Sequence, residues 1–147
     1  MDEILQILKE NARTSVSDIA AMTNRTEEEV AAAIKAYEEE GTIVKYKAVV
    51  NTEDMAEEKG VVRAWIAVNV TPQRGAGFDA IAERLYQFDE VRSCYLLSGS
   101  FDLLLLVEGE SLQNVASFVS ERLATLDDVT RTSSYFLLEA YKEDGDI

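Results

Sequence analysis

The sequence predicts an α+β chain in two parts, an N-terminal winged helix-turn-helix and a C-terminal ferredoxin-like βαββαβ domain. Three observations carry that prediction. Apolar residues recur at helical spacing through the first 40 or so positions, a period of two sets in after Gly60, and an acidic segment poor in large apolar residues, 51–60, separates the two regimes. The domains expected are therefore a helical unit over 1–50, a linker over 51–60, a βαββαβ unit over 61–142 and a polar tail over 143–147.

Each element has a local reason. Met1, Ile4, Leu5 and Leu8 give the first helix, which Asn11-Ala12-Arg13-Thr14 ends. Ser15-Val16-Ser17-Asp18 is a helix-start signature, and Val16, Ile19, Ala20 and Met22 form the apolar face of a second helix of about two turns. Thr23-Asn24-Arg25 makes a tight turn in which Asn24 tolerates positive φ. Thr26-Glu27-Glu28-Glu29 is a capping box with acids where the helix dipole favours them. Val30, Ala33, Ile34 and Tyr37 form the stripe of this third helix, and Gly41 stands at its C′ position. Residues 42–50 read as an extended, wing-like strand.

Beyond Gly60, Val62, Ala64, Ile66, Val68 and Val70 share one face of a strand that stops at Thr71-Pro72. Phe78, Ile81, Leu85 and Phe88 are the stripe of the next helix. Strands over 91–98 and 101–108 flank Gly99-Ser100, read as a two-residue hairpin turn. Ser111 opens a last helix with stripe Leu112, Val115, Val119 and Leu126, and a final strand runs over 129–141.

Composition narrows the chemistry. The 147 residues contain no histidine and one cysteine, so histidine-assisted acid/base catalysis and cysteine/histidine metal sites are excluded; no cofactor and no metal are expected. Cys94, between strand-forming residues, is expected to be a buried structural thiol. No apolar run approaches the roughly 20 residues that span a bilayer, and the start of the chain lacks a basic n-region and a cleavage site, which points to the cytoplasm. The net charge of −14 is spread along the chain, and no segment is basic: residues 1–50 hold ten acids against six bases. Trp65, Tyr86, Phe101 and Tyr135 read as core or dimer surface.

Thr26, Val30 and Ile34, followed by Glu38-Glu39-Glu40-Gly41 and Ile43, resemble the recognition-helix pattern of the Lrp/AsnC (leucine-responsive/asparagine-regulator) family of transcription regulators. Ser98-Gly99-Ser100-Phe101-Asp102 is similar to that family's Thr-Gly-x-x-Asp hairpin, and Val129 through Ser134, running on to Lys142, to its closing strand. The resemblance covers essentially the whole chain. It implies a DNA-binding regulator, not an enzyme, that responds to a small effector, usually an amino acid, and that dimerises through its βαββαβ domains, with dimers assembling as far as octamers.

It also implies site residues. DNA contacts fall on Arg25, Thr26, Glu28, Ala32, Lys35, Lys45 and Lys47, with Arg13 a further base. The effector loop falls on Leu97, Ser98, Gly99 and Asp102, with Tyr95 nearby and Ser133 and Ser134 on the last strand. A glycine turn offers amides to a carboxylate and an aspartate can pair with an α-ammonium group; alternatively, Gly99 only makes the hairpin and Asp102 only holds its turn. On the effector reading, Asp102→Ala weakens effector binding with little loss of stability. The chain departs from the family at the DNA face: Glu28 stands where serine is common, and Ala32, Ala33 and Ala36 where arginine or lysine is. Two accounts stay open. Either an oligomer presents several weak readers at once, or the helical domain is a scaffold and the protein an amino-acid-sensing module that no longer binds DNA strongly. Relatives with this architecture that decarboxylate tetrapyrroles lean on histidine, which this chain lacks.

Overall fold

The computed structural model describes residues 1–51, 60–71 and 77–146. The linker expected at 51–60 therefore lies, apart from its end residues, outside the described residues, as do Pro72 and Ile147. The chain divides into two compact units, Met1–Val50 and Asn51–Ile147.

The helical unit consists of α1 (Glu3–Glu10), α2 (Val16–Thr23) and α3 (Glu27–Glu39). Each start is capped by the side chain that precedes it: Asp2 accepts from Ile4 N–H, Ser15 from Asp18 N–H and Thr26 from Glu29 N–H. Asn24 is left-handed at φ 56° and ends α2, and Gly41 at φ +79° follows α3, as the sequence predicts. Ile4, Ile19, Ala20 and Val30 are buried, with Ile7, Leu8, Val16, Ala33 and Ile34 packed around them. Met22 is not part of that face; it is 64 % exposed. The strand read over 42–50 does not form. A strand exists through its ladder, and among the described residues nothing pairs with this segment, which leaves Val44, Tyr46, Val49 and Val50 exposed.

The second unit runs β1 (Val62–Val70), α4 (Gly77–Tyr86), β2 (Val91–Leu96), β3 (Leu103–Gly109), α5 (Leu112–Phe118), a π-helical turn (Val119–Leu123) and β4 (Val129–Phe136). Its antiparallel sheet has the order β2-β3-β1-β4, the ferredoxin-like arrangement. Alternation decides what is buried. Ala64, Ile66, Val68 and Val70 of β1 and Leu103, Leu105 and Val107 of β3 meet Ile81 and Leu85 of α4 and Val115, Phe118, Val119 and Leu123 from α5 and its π turn. Trp65 pairs with Leu106 and Tyr135, and Ala67 with Leu104, on the opposite face. That face has no helix over it among the described residues, and Tyr95 and Tyr135 are each at least half exposed.

The structure corrects three further expectations. The β2–β3 connection is six residues, 97–102, not a two-residue turn. The last strand stops at Phe136, with one further bond from Leu137 N–H to the Arg63 carbonyl; Leu138 and Tyr141 are exposed. Leu112, the first residue of α5, is exposed, and the buried stripe runs instead from Val115 through Phe118, Val119 and Leu123, at +3, +4 and +8 from it. Cys94 is half-buried against the core, and burial pushes its thiol up from the ordinary 9.0.

Candidate DNA-reading face and effector site

On α3, residues four and seven apart share a face, so Glu28, Ala32 and Lys35 line up opposite Val30, Ile34 and Tyr37. All three are exposed. Lys35 stands 4.0 Å from Glu39 in an exposed i,i+4 pair that holds it weakly. Thr26 is committed as the helix cap. Arg25 is committed as well: its guanidinium is 3.1 Å from the Asp2 carboxylate, which also accepts a short hydrogen bond from the Tyr37 hydroxyl. The Tyr37 bond, and after it Arg25, hold the Asp2 carboxyl below its ordinary 3.8, and the same contacts raise Tyr37 and Arg25. This group ties the start of α1 to the turn before α3 and to α3 itself. Lys45 and Lys47 are exposed on either side of Tyr46, whose phenol is pushed up by desolvation and by the neighbouring Glu38. Arg13 is exposed; its backbone N–H donates to the Asn11 side chain.

The effector candidates gather at the β2–β3 loop and along β4. Leu97 N–H donates to the Asp102 carbonyl and closes the loop, while Asp102 N–H donates to the Val68 carbonyl and Asp102 Oδ2 accepts from Val70 N–H at 3.0 Å. Asp102 thus anchors the loop to β1, leaving Leu97, Ser98 and Gly99 exposed. Asn69, which the sequence reading missed, holds the same loop by donating from Nδ2 to the Ser100 carbonyl, and its own carbonyl accepts from Thr130 of β4. Only a long-range pairing reveals it.

Register settles which candidates meet. Ser133, Ala67, Leu104 and Tyr95 form one row across the sheet, and Ser134, Ile66, Leu105 and Cys94 the next. Tyr95 and Ser133 therefore lie on the two edge strands, three strand spacings or about 14 Å apart. A single amino acid does not bridge them within one chain. Ser134 also lies on the helix-covered side of the sheet, whereas Ser133 lies on the open side.

The sequence profile described as the Lrp/AsnC ligand binding domain matches residues 63–147, and that of a winged helix-turn-helix DNA-binding domain matches residues 3–44. The chain belongs to the Lrp/AsnC family. It is accordingly a DNA-binding transcription regulator with an attached ligand-binding domain. An uncharacterised helix-turn-helix-type transcriptional regulator of Bacillus subtilis (strain 168), YugG, is 45 % identical over 99 % of this chain and 87 % of its own length. The proline dehydrogenase transcriptional activator of Rhodobacter capsulatus is 30 % identical over 95 % and 89 %. Among solved structures, a Neisseria meningitidis transcriptional regulator in complex with L-methionine superposes with TM-score 0.75 at 26 % identity, covering 97 % of this chain and 93 % of that one. In this Lrp/AsnC chain, among the described residues, no helix is long and apolar enough to cross a membrane and no acidic or cysteine cluster could hold a metal.

Proposed function

We propose that this regulator senses a small amino acid through the β2–β3 loop, does so as a homodimer or larger assembly in the cytoplasm, and has no enzymatic activity of its own. The observation that carries the proposal is the anchored loop. Asp102 and Asn69 fix residues 97–102 to the end of β1, so that the exposed Ser98 and Gly99 share one anchored loop with the Asp102 carboxylate, a combination suited to an α-carboxylate and an α-ammonium group. The methionine-bound neighbour supports the ligand class. The 14 Å between Tyr95 and Ser133 supports a second copy, since a ligand that used residues from both edges would take them from different chains. The open sheet face and the exposed apolar side chains of segment 42–50, Val44, Tyr46, Val49 and Val50, are the two surfaces such a copy would cover. On the DNA side, Glu28, Ala32, Lys35, Lys45 and Lys47 form the contact set. Thr26 and Arg25 contribute by positioning α3.

One feature favours a second reading. With Arg25 tied to Asp2 and an all-acidic first turn on α3, the helical unit offers few cations to phosphates, which suits a sensing scaffold whose output is a protein partner. Fluorescence anisotropy against DNA from the protein's own upstream region, at two salt concentrations with and without methionine and an amino-acid mixture, separates the two. Saturable, salt-sensitive binding that an amino acid shifts is expected, and Lys35→Glu should lower the affinity and reduce the log–log salt slope by about 1. Flat traces at low salt would instead establish the scaffold.

A further inference from the structure

The exposed stripe of α3 carries chemistry that the fold does not use. Glu28 makes no hydrogen bond or ion pair to any described residue, and Glu27 and Glu29 already place acids in the first turn. A third carboxylate aimed away from the core, on the face of the helix that enters the major groove, would repel phosphate and weaken every complex unless it met a donor there. The major groove offers a carboxylate one good partner, the N4 amino group of cytosine; the adenine N6 amino group sits beside the N7 acceptor, which a carboxylate opposes. Ala32 is one turn further along the same stripe. A bare methyl at that place suits the C5-methyl of thymine. The rise from Glu28 to Ala32 is about 6 Å and to Lys35 about 10.5 Å, which is close to two and three base-pair steps.

We propose that α3 reads DNA through an acidic and apolar code. Glu28 selects a cytosine by accepting from its N4 amino group, Ala32 selects a thymine about two base pairs further on, and Lys35 anchors a phosphate beyond it. The inference rests on the DNA-binding reading of the helical unit. It also accounts for an acid on a DNA-reading face: Glu28 lowers affinity for all DNA and is compensated only at sites with cytosine in register, which makes it a device of discrimination.

The test is selection of full-length wild type and Glu28→Gln from a random duplex pool at low salt, followed by anisotropy on the selected site and its single-base variants. Wild type is expected to enrich cytosine at one position of each half-site. Glutamine reads adenine, so Glu28→Gln should move that position towards adenine, changing the cytosine-to-adenine affinity ratio by about 5-fold or more. Deoxyuridine in place of the thymine should weaken wild type but leave Ala32→Gly unaffected. If Glu28→Gln binds every sequence more tightly with the selected bases unchanged, Glu28 is only a repulsive charge and the code is wrong. If wild type selects nothing from the pool, the DNA reading itself falls and takes the code with it.

Discussion

The two units of this chain reach a folded state by different means. The sheet unit buries whole strand faces under α4, α5 and the π turn, and its loops are tied by long-range polar clips such as Arg84 to the buried Asp128 and Arg122 to Glu90 at 3.1 Å. The helical unit has a small centre, Ile4, Ile19, Ala20 and Val30, and two of its helices have only eight residues. Helices shorter than about 12–15 residues are marginal alone, so this unit leans on its three side-chain caps and on the Asp2, Arg25 and Tyr37 group. The sheet unit is sufficient inside, but one apolar face has no helix over it among the described residues. The three helices of the helical unit cover their apolar stripes around a small core, while the segment after them keeps Val44, Tyr46, Val49 and Val50 exposed. The first has core to spare; the second is sensitive to each contact.

Two substitutions break that contrast most directly. Ile19→Ala removes a fully buried side chain from the small core and should cost about 2–5 kcal/mol, enough to melt the helical unit first. The chain's single tryptophan, Trp65, lies in the sheet unit, so far-UV circular dichroism should fall while Trp65 emission holds. A single cooperative loss in both signals would contradict independent units. Leu104→Glu places a charge mid-row on the open sheet face between Ala67 and Tyr95. Light scattering should show a smaller assembly with the melting profile kept, and an unchanged mass would remove this face from the interface.

A smaller effect separates structure from sensing at Asp102. Asp102→Ala deletes the acceptor for Val70 N–H, so stability should fall by about 1 kcal/mol, more than the sequence suggests for a turn residue. Asp102→Asn keeps an acceptor and removes the charge. Calorimetry should show methionine binding weakened in both, with the asparagine variant closer to wild type in stability; unaltered binding in Asp102→Asn would end the ammonium-pairing role.

What was legible follows the range of the interaction. Helix starts were readable because a cap is a contract between residues three apart, and Ser15, Thr26 and Ser111 all accept the bond that their spacing predicts. The period-two face of β1 was readable for the same reason. The β2–β3 loop reads locally as a tight hairpin because Gly99-Ser100 is a sufficient local signal, while the bonds that hold it come from Val68, Asn69 and Val70, some 30 residues away. Leu112 is exposed although it fits the spacing, because helical periodicity marks a face but not how near the helix end that face stays covered. The strand over 42–50 does not form for want of a ladder partner among the described residues. The separation of Tyr95 from Ser133 requires the strand order, which no local pattern encodes.

The subtlest test concerns the polar group that braces the helical unit. Asp2 has its folded pKa lowered below 3.8, so its stabilisation is present above 3.8 and is lost as pH falls through the depressed value. Tyr37 has its pKa raised above 10.0, so its stabilisation is present below 10.0 and is lost as pH rises through the raised value. The helical unit should therefore lose helicity at both extremes while Trp65 emission changes independently. Tyr37→Phe removes the largest cause of the Asp2 shift. Its acid transition should move up towards the ordinary carboxylate value and its alkaline arm should shrink to what Tyr46 contributes, with a loss of stability at neutral pH smaller than that of Ile19→Ala. An acid profile identical to wild type would mean that Arg25 and the Ile4 N–H hold Asp2 without Tyr37, and Arg25 could then not leave it to meet a phosphate without loosening the start of α1.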